Sequence, residues 1–347
     1  MSYADTHIHS FRARLFTPIL AIAIAGCGPK PAEDLTPLRA QRVIGAYASW
    51  RQQEFPPESL PWSRLTHVGY AFALPKADGT IDMAHARGLA EVVRAARRHG
   101  VGVLLAIGGA NGSAPFRDIA VSPGLRARFT EETLRLTRKL DLDGVDIDWE
   151  NWDGGEPDPV GRQGLKVLVA DLYARLHPAG KVLTVDVFAG DWLGKHYDAA
   201  LVDHVDWLNI MAYDGSGSWS RRPGPHSSYG MVRGAVDYWI GKVGQDKRNK
   251  LVLFLPFYGK KFPAGFSSGQ EVPDMAYRDI VAAHPEAADR NTVKSGGYSV
   301  FYDDRRAIHR KIRLANELGL GGVGIWELTQ DSNDPASSLI SVLAPSR

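Results

Sequence analysis

The chain has 347 residues, 44% hydrophobic and 23% charged, enough for one large domain or two ordinary ones with a substantial core. Its 41 basic and 39 acidic residues nearly cancel, to a net charge of +2, and there is neither a basic block nor an acidic tail. Nothing in that balance points to nucleic acid.

The N-terminus reads as a separate object. Arg12 and Arg14 precede an apolar run, LFTPILAIAIAG, that stops at Cys27, the one cysteine of the chain. About a dozen apolar residues are too few to span a bilayer but suit the core of a signal peptide. The run ends Ile24-Ala25-Gly26-Cys27, which resembles the lipobox of bacterial lipoproteins. That resemblance implies removal of residues 1–26 and a lipid anchor on Cys27. An ordinary cleaved signal, or a short buried helix with an incidental Cys, is the alternative. Residues 27–41, rich in Pro and charge, read as a tether. Gly28 stands where an inner-membrane retention signal would have Asp. In a two-membrane envelope this favours the outer membrane, with the protein facing the periplasm or the exterior.

From residue 42 to 345 the pattern alternates and reads as one domain. The predicted strands are VIGAYASW (43–50), THVGYAFAL (66–74), GVLLAIGG (102–109), GVDIDWE (144–150), VLTVDVFAG (182–190), VDWLNIMAY (205–213), LVLFLPFYG (251–259) and GGVGIWEL (321–328). Helical patterns lie between most of them. AHARGLAEVVRAARRHG closes on a Gly stop, and GLRARFTEETLRLTRKL, GLKVLVADLYARLH, GAVDYWIGKVG and AIHRKIRLANELG read the same way. Eight strands alternating with helices suggest a (β/α)₈ barrel. A doubly wound open sheet is the alternative, disfavoured because no Gly-rich phosphate loop follows the first strand.

The fourth strand carries an unusual load. DLDGVDIDWENW threads Asp143, Asp146, Asp148 and Glu150 through apolar residues. Side chains alternate faces along a strand, so Asp146, Asp148 and Glu150 share one face and Val145, Ile147 and Trp149 the other. In a barrel the apolar set suits the helix side and the acids point inward. Glu150 then stands at the C-terminal mouth, where such barrels carry their active sites. Carboxyls this close cannot all ionise, so one pKa rises, as a general acid requires. A divalent-metal site is the competing reading, but such sites draw ligands from loops, and no His cluster accompanies these acids. An ion-pair network would need Arg or Lys on the strand, which has neither. No cofactor is expected.

This run resembles the D-x-x-D-x-D-x-E signature of family 18 glycoside hydrolases, the chitinase family. MAYD (211–214), YAF (70–72), IGG (107–109), LPFYG (255–259) and GIWEL (324–328) resemble other strands of that family, in order. The resemblance implies that Glu150 is the general acid and then base, and that the nucleophile is the substrate's own N-acetyl carbonyl. Asp148 would stabilise the oxazolinium ion so formed, and Asp146 would share a proton with Asp148. Tyr213 would donate to the acetamide carbonyl and Asp214 contact the sugar beside it. Trp326 would floor the −1 subsite, lined by Tyr47, Phe72 and Met211. Asn209, Met211 and Tyr213 share one face by period two, the lumenal one if Tyr213 is functional.

Departures from the family pattern narrow the substrate. Ala106 replaces a Ser partner of Asp146, and Ala110 replaces a Trp of the plus subsites. Asn151 and Trp152 follow the acid where Tyr-Pro is common, Phe254 stands where Gly is common, and Asp186 occupies a place usually small. Residues 260–320 contain a helical stretch, DMAYRDIVAAHP, and the YDD and Lys311 that also resemble the family. They fall short of a full-size α+β insertion, so a shallow groove with little aromatic platform is expected. The implied substrate is a β-1,4-linked N-acetylglucosamine chain, chitin oligosaccharides first. An endo-β-N-acetylglucosaminidase acting on glycans or peptidoglycan, and a non-catalytic chitinase-like lectin, are the rivals.

Overall fold

Apolar runs rich in Val, Ile, Leu and aromatics form β1 (Val43–Ala48), β2 (His67–Pro75), β3 (Gly102–Gly108) and β4 (Gly144–Asp148). They continue as β5 (Val182–Phe188), β6 (Trp207–Met211), β7 (Leu251–Pro256) and β8 (Gly322–Trp326). Each pairs parallel with its sequence neighbour, and β1 pairs with both β2 and β8. The sheet therefore closes and keeps no free edge, which makes the (β/α)₈ barrel. The structure is a computed structural model and describes residues 34–152 and 158–346. Cys27 and the leader lie outside them.

Two apolar layers hold the barrel. Ile44, Leu104, Trp207, Val252 and Phe254 cluster inside the lumen. The other layer lies between strands and helices and includes Val145, Ile147, Leu165, Leu168, Trp239 and Ile312. The helix Leu89–His99 ends as its sequence predicts, with Gly100 at φ 60° in the left-handed region that favours Gly. Lys311 is buried, donating to Ser227 Oγ at 2.9 Å and pairing with Asp303, and so ties the helix Arg305–Glu317 to the loop before Tyr229.

Three expectations need correction. All strands but β2 end earlier than the apolar runs: β4 stops at Asp148, leaving Glu150 beyond the ladder. Residues 36–41, read as tether, dock on the barrel domain. Leu38 exchanges backbone hydrogen bonds of 2.9 Å with Val342 and Ala344, and His309 bonds the Thr36 carbonyl at 3.0 Å. The stretch between β7 and β8 is more than a helix. Strands Tyr258–Pro263, Asp274–Ala276, Thr292–Ser295 and Tyr298–Phe301 form a four-stranded antiparallel sheet beside the helix Tyr277–Ala283. Residues 274–276, read as helix, pair with Tyr258–Lys260, because a neighbouring strand satisfies their backbone groups.

Candidate active site

The alternation on β4 holds. Val145, Ile147 and Trp149 are at most 1% exposed on the helix side, where Trp149 stacks between Phe116 and Trp152. Asp146 and Asp148 are also buried, 7% and 3% exposed, but face the lumen. Asp143 is a different case. It sits at the opposite end, paired with Arg97 at 2.8 Å and accepting the Val103 N–H at 2.6 Å.

Thr184, level with Asp146 on β5, donates its hydroxyl to Asp146 Oδ1, and Asn209 Nδ2 donates to the same oxygen at 3.1 Å. Ala106, level with Asp146 on β3, offers it no side-chain donor. Asp148 Oδ1 has no partner among the described residues. Burial pushes Asp146 up to about 6, against the hydrogen bonds that favour its charge. Burial, then the charges of Glu150 and Asp146, hold Asp148 well above the usual carboxylate range.

Glu150 rises from the end of β4 into the mouth. Its backbone N–H donates to the buried Ser113 Oγ at 3.0 Å, and the Ala110 N–H bonds its carboxyl. Burial first, and the charge of Asp214 second, push it up to about 7. The glycines of β3 make this approach possible. Gly108 has φ 119°, and a Cβ there would lie 2.1 Å from the Asp148 carbonyl. Gly109 then donates its N–H to that carbonyl at 2.9 Å.

Tyr213 follows β6 with its ring edge-on to Tyr258. Burial, then the charges of Asp186 and Glu150, keep its phenol protonated. Asp214 accepts from the Tyr258 hydroxyl at 2.6 Å and pairs with Lys260 at 2.9 Å, with His226 Nδ1 at 3.4 Å. Burial opposes its charge, yet His226, Lys260 and Tyr258 together draw its carboxyl well below the usual range. Tyr258 and Lys260 come from the inserted sheet, so the insertion completes the site.

Two clefts meet at Glu150. One, about 660 Å³, is lined by Trp50, Phe72, Asn111 and Trp326. The other, about 680 Å³, is lined by Trp192, Met211, Tyr213, Asp214, Trp219 and Tyr238. On the first side the rings form a row, Trp50 stacked 6.1 Å from Phe72 and Phe72 stacked 5.7 Å from Trp326. Trp50, Trp192 and Trp219 are 61%, 62% and 56% exposed, so each offers a ring face to a ligand. The aromatic platform missing at Ala110 is thus supplied from other loops, and the expectation of a bare groove is corrected.

Trp326, Phe72, Met211, Tyr213 and Asp214 all line the clefts around Glu150. Tyr47 does not. It is fully buried in the strand–helix layer, its hydroxyl donating to the Phe55 carbonyl at 2.5 Å and its ring edge-on to Tyr70. Alternation explains this: Ile44 points into the lumen, so Tyr47, three residues on, points out. Trp152 packs between Trp149 and His196 as a buttress beneath the loop that carries Glu150. Among the described residues no group of three His, Cys, Asp or Glu is arranged to hold a metal ion.

The chain is similar to known proteins in sequence and in fold. Residues 42–331 match Glycosyl hydrolases family 18. Probable chitinase 2 of Drosophila melanogaster is 27% identical over 373 residues, covering 90% of this chain and 77% of its own length. Probable chitinase 10 of the same organism is 28% identical over 84% of this chain, which spans 15% of that protein's length. A chitinase from Bacteroides thetaiotaomicron superposes with a TM-score of 0.75 at 28% identity, covering 87% of this chain and 94% of its own. The barrel with its acids at the mouth of β4 is a glycoside hydrolase, and the chain belongs to glycosyl hydrolases family 18.

Proposed function

We propose that the protein cleaves β-1,4-linked N-acetylglucosamine chains, chitin oligosaccharides foremost, with retention of configuration and help from the substrate's acetamide. The observation that carries this reading is the place of Glu150. Its carboxyl stands where two aromatic-lined clefts meet, and its proton is held to about pH 7. A chain laid across both clefts would put one glycosidic oxygen beside that proton. Sugar C–H faces would rest on Trp326 on one side and Trp219 on the other.

The enzyme would need a second carboxylate across the cleft to act as its own nucleophile. Asp146 and Asp148 lie below Glu150 in the lumen, and Asp214 is engaged by Tyr258 and Lys260. The acetamide carbonyl is then the nucleophile. Tyr213 orients it, Asp148 stabilises the cation, and Glu150 protonates the leaving oxygen before activating water. The chitinases among the relatives support the substrate class. Mass spectrometry of digests of chitin oligomers, N-glycans and peptidoglycan tests it. Short N-acetylglucosamine oligomers from chitin are expected, and turnover confined to either other polymer would overturn it.

The anchor is proposed on the leader alone. Cys27→Ser should release active enzyme from the membrane fraction, because the catalytic barrel begins beyond the tether. Absence of fatty-acid labelling of the wild type in its native host would refute it.

A further inference from the structure

Asp186 is an acid that the chemistry proposed above leaves idle. It lies on β5, in register with Asn209 of β6, two residues from the Thr184 that serves Asp146. Its carboxyl is in hydrogen-bonding contact with that of Asp146. Its Oδ1 is enclosed without a partner, while the rest of the side chain is half-buried against a small lumenal cavity. Asp146, Asn209, Ala106 and Phe254 line the same cavity beneath Trp326.

The groups facing Asp186 are Asp146, Asp148 and Glu150 on one side, Asn209 of β6, Tyr213 just past it, and Tyr197. None is a cation. Two carboxyls in contact without a cation must share one proton. Which of them carries it follows from the donors. Asp146 accepts from Thr184 and Asn209, which favours its charged form. Asp186 has Asn209 alone as a donor, and burial, then the charges of Asp146 and Asp148, hold its carboxyl well above the usual range.

We propose that Asp186 is a positioning acid: as the neutral carboxylic acid it donates its O–H to Asp146 and holds Asp146 ionised. Asp146 can then take the proton from Asp148. The Asp148 O–H bond breaks, an Asp146 O–H bond forms, and Asp148 is left as the carboxylate that faces the developing cation. The proton on Asp186 stays in place throughout. This rests on the roles given to Asp148 and Glu150 above. It assigns to Asp186 part of the task that the serine absent at Ala106 would have carried.

The test compares the pH profile of kcat for wild type, Asp186→Ala and Asp186→Asn on a soluble chitin oligomer. Loss of the donor raises the Asp146 pKa, so in Asp186→Ala the acid limb should move up by about one pH unit and kcat fall about ten-fold, with KM little changed. Asp186→Asn keeps an N–H donor and should stay within about two-fold of wild type with its acid limb in place. An unmoved acid limb in Asp186→Ala, or an Asp186→Asn as impaired as the alanine variant, overturns the proposal. Infrared difference spectra of wild type against Asp186→Asn supply a second reading that needs no turnover. Loss of a protonated-carboxyl band at the pH of activity is expected, and loss of a carboxylate band overturns it. That measurement stands whether or not Glu150 proves to be the acid, which Glu150→Gln tests separately.

Discussion

The two ends of β4 use the same residue type for opposite purposes. At the N-terminal end Asp143 meets Arg97 at 2.8 Å and the Val103 N–H at 2.6 Å, and so ties β3, β4 and the helix Leu89–His99 together. At the other end Asp146, Asp148 and Glu150 meet no cation among the described residues. Their partners are Thr184, Asn209, Asp186, a backbone N–H and each other. Enclosing carboxyls without compensating charge costs stability. The fold bears that cost at one end of the strand and avoids it at the other. In the proposed reaction the lumenal acids serve through their protons, whereas Asp143 serves the fold through its ion pair and hydrogen bond.

Substitutions at the two ends should separate along that line. Glu150→Gln keeps the shape and removes the donor. It should lower kcat by about 10²- to 10⁴-fold while oligosaccharide binding, measured by calorimetry, survives. Full activity in this variant would end the distinction. Asp148→Asn should lower kcat by about ten-fold or more, because an amide stabilises a cation poorly. Its melting temperature should hold or rise, since a neutral amide relieves an uncompensated buried carboxyl. Asp143→Ala should do the reverse. It should cost about 1–2 kcal/mol in denaturant unfolding, because the Val103 N–H loses its acceptor, with the ion pair itself counting for little at its exposure. Its kcat should stay within about two-fold of wild type.

A subtler effect concerns pH. As the proposed general acid Glu150 must be protonated, so kcat should fall as pH rises through about 7. Burial, which Asp214→Asn leaves intact, is the larger cause of that raised value, and the Asp214 charge the smaller. Asp214→Asn should therefore shift the basic limb to lower pH by less than about one unit. A shift to higher pH would show that Asp214 does not act on Glu150 through its charge.

Much of this was legible in the residues. The eight apolar runs mark the barrel strands, and period-two alternation on β4 places Asp146 and Asp148 in the lumen because strand geometry is local. The same rule, applied to β1, would have turned Tyr47 outward. The family likeness outweighed it there, and the structure restores it. Contacts set by distant chain segments leave no local pattern. Tyr258 and Lys260 reach Asp214 from the inserted sheet, and Leu38 is held by Val342 and Ala344 from the far end of the chain. Trp192 and Trp219 stand between the barrel strands, where no strand periodicity announces which way a ring will face, and Trp50, read as the end of the first strand, lies just past it. Asp186 shows the middle case. Its lumenal direction follows from alternation on β5, but its contact with Asp146 depends on how β4 and β5 align.

The central claim is that this strand supplies an acid and the substrate supplies the nucleophile. The most direct test is proton NMR of the first product anomer, with chitin oligomers either fully acetylated or carrying glucosamine at the −1 position. The β-anomer should form first from the acetylated chain, and the glucosamine-bearing bond should stay intact. An α-anomer as first product, or efficient cleavage beside the glucosamine, would contradict the account.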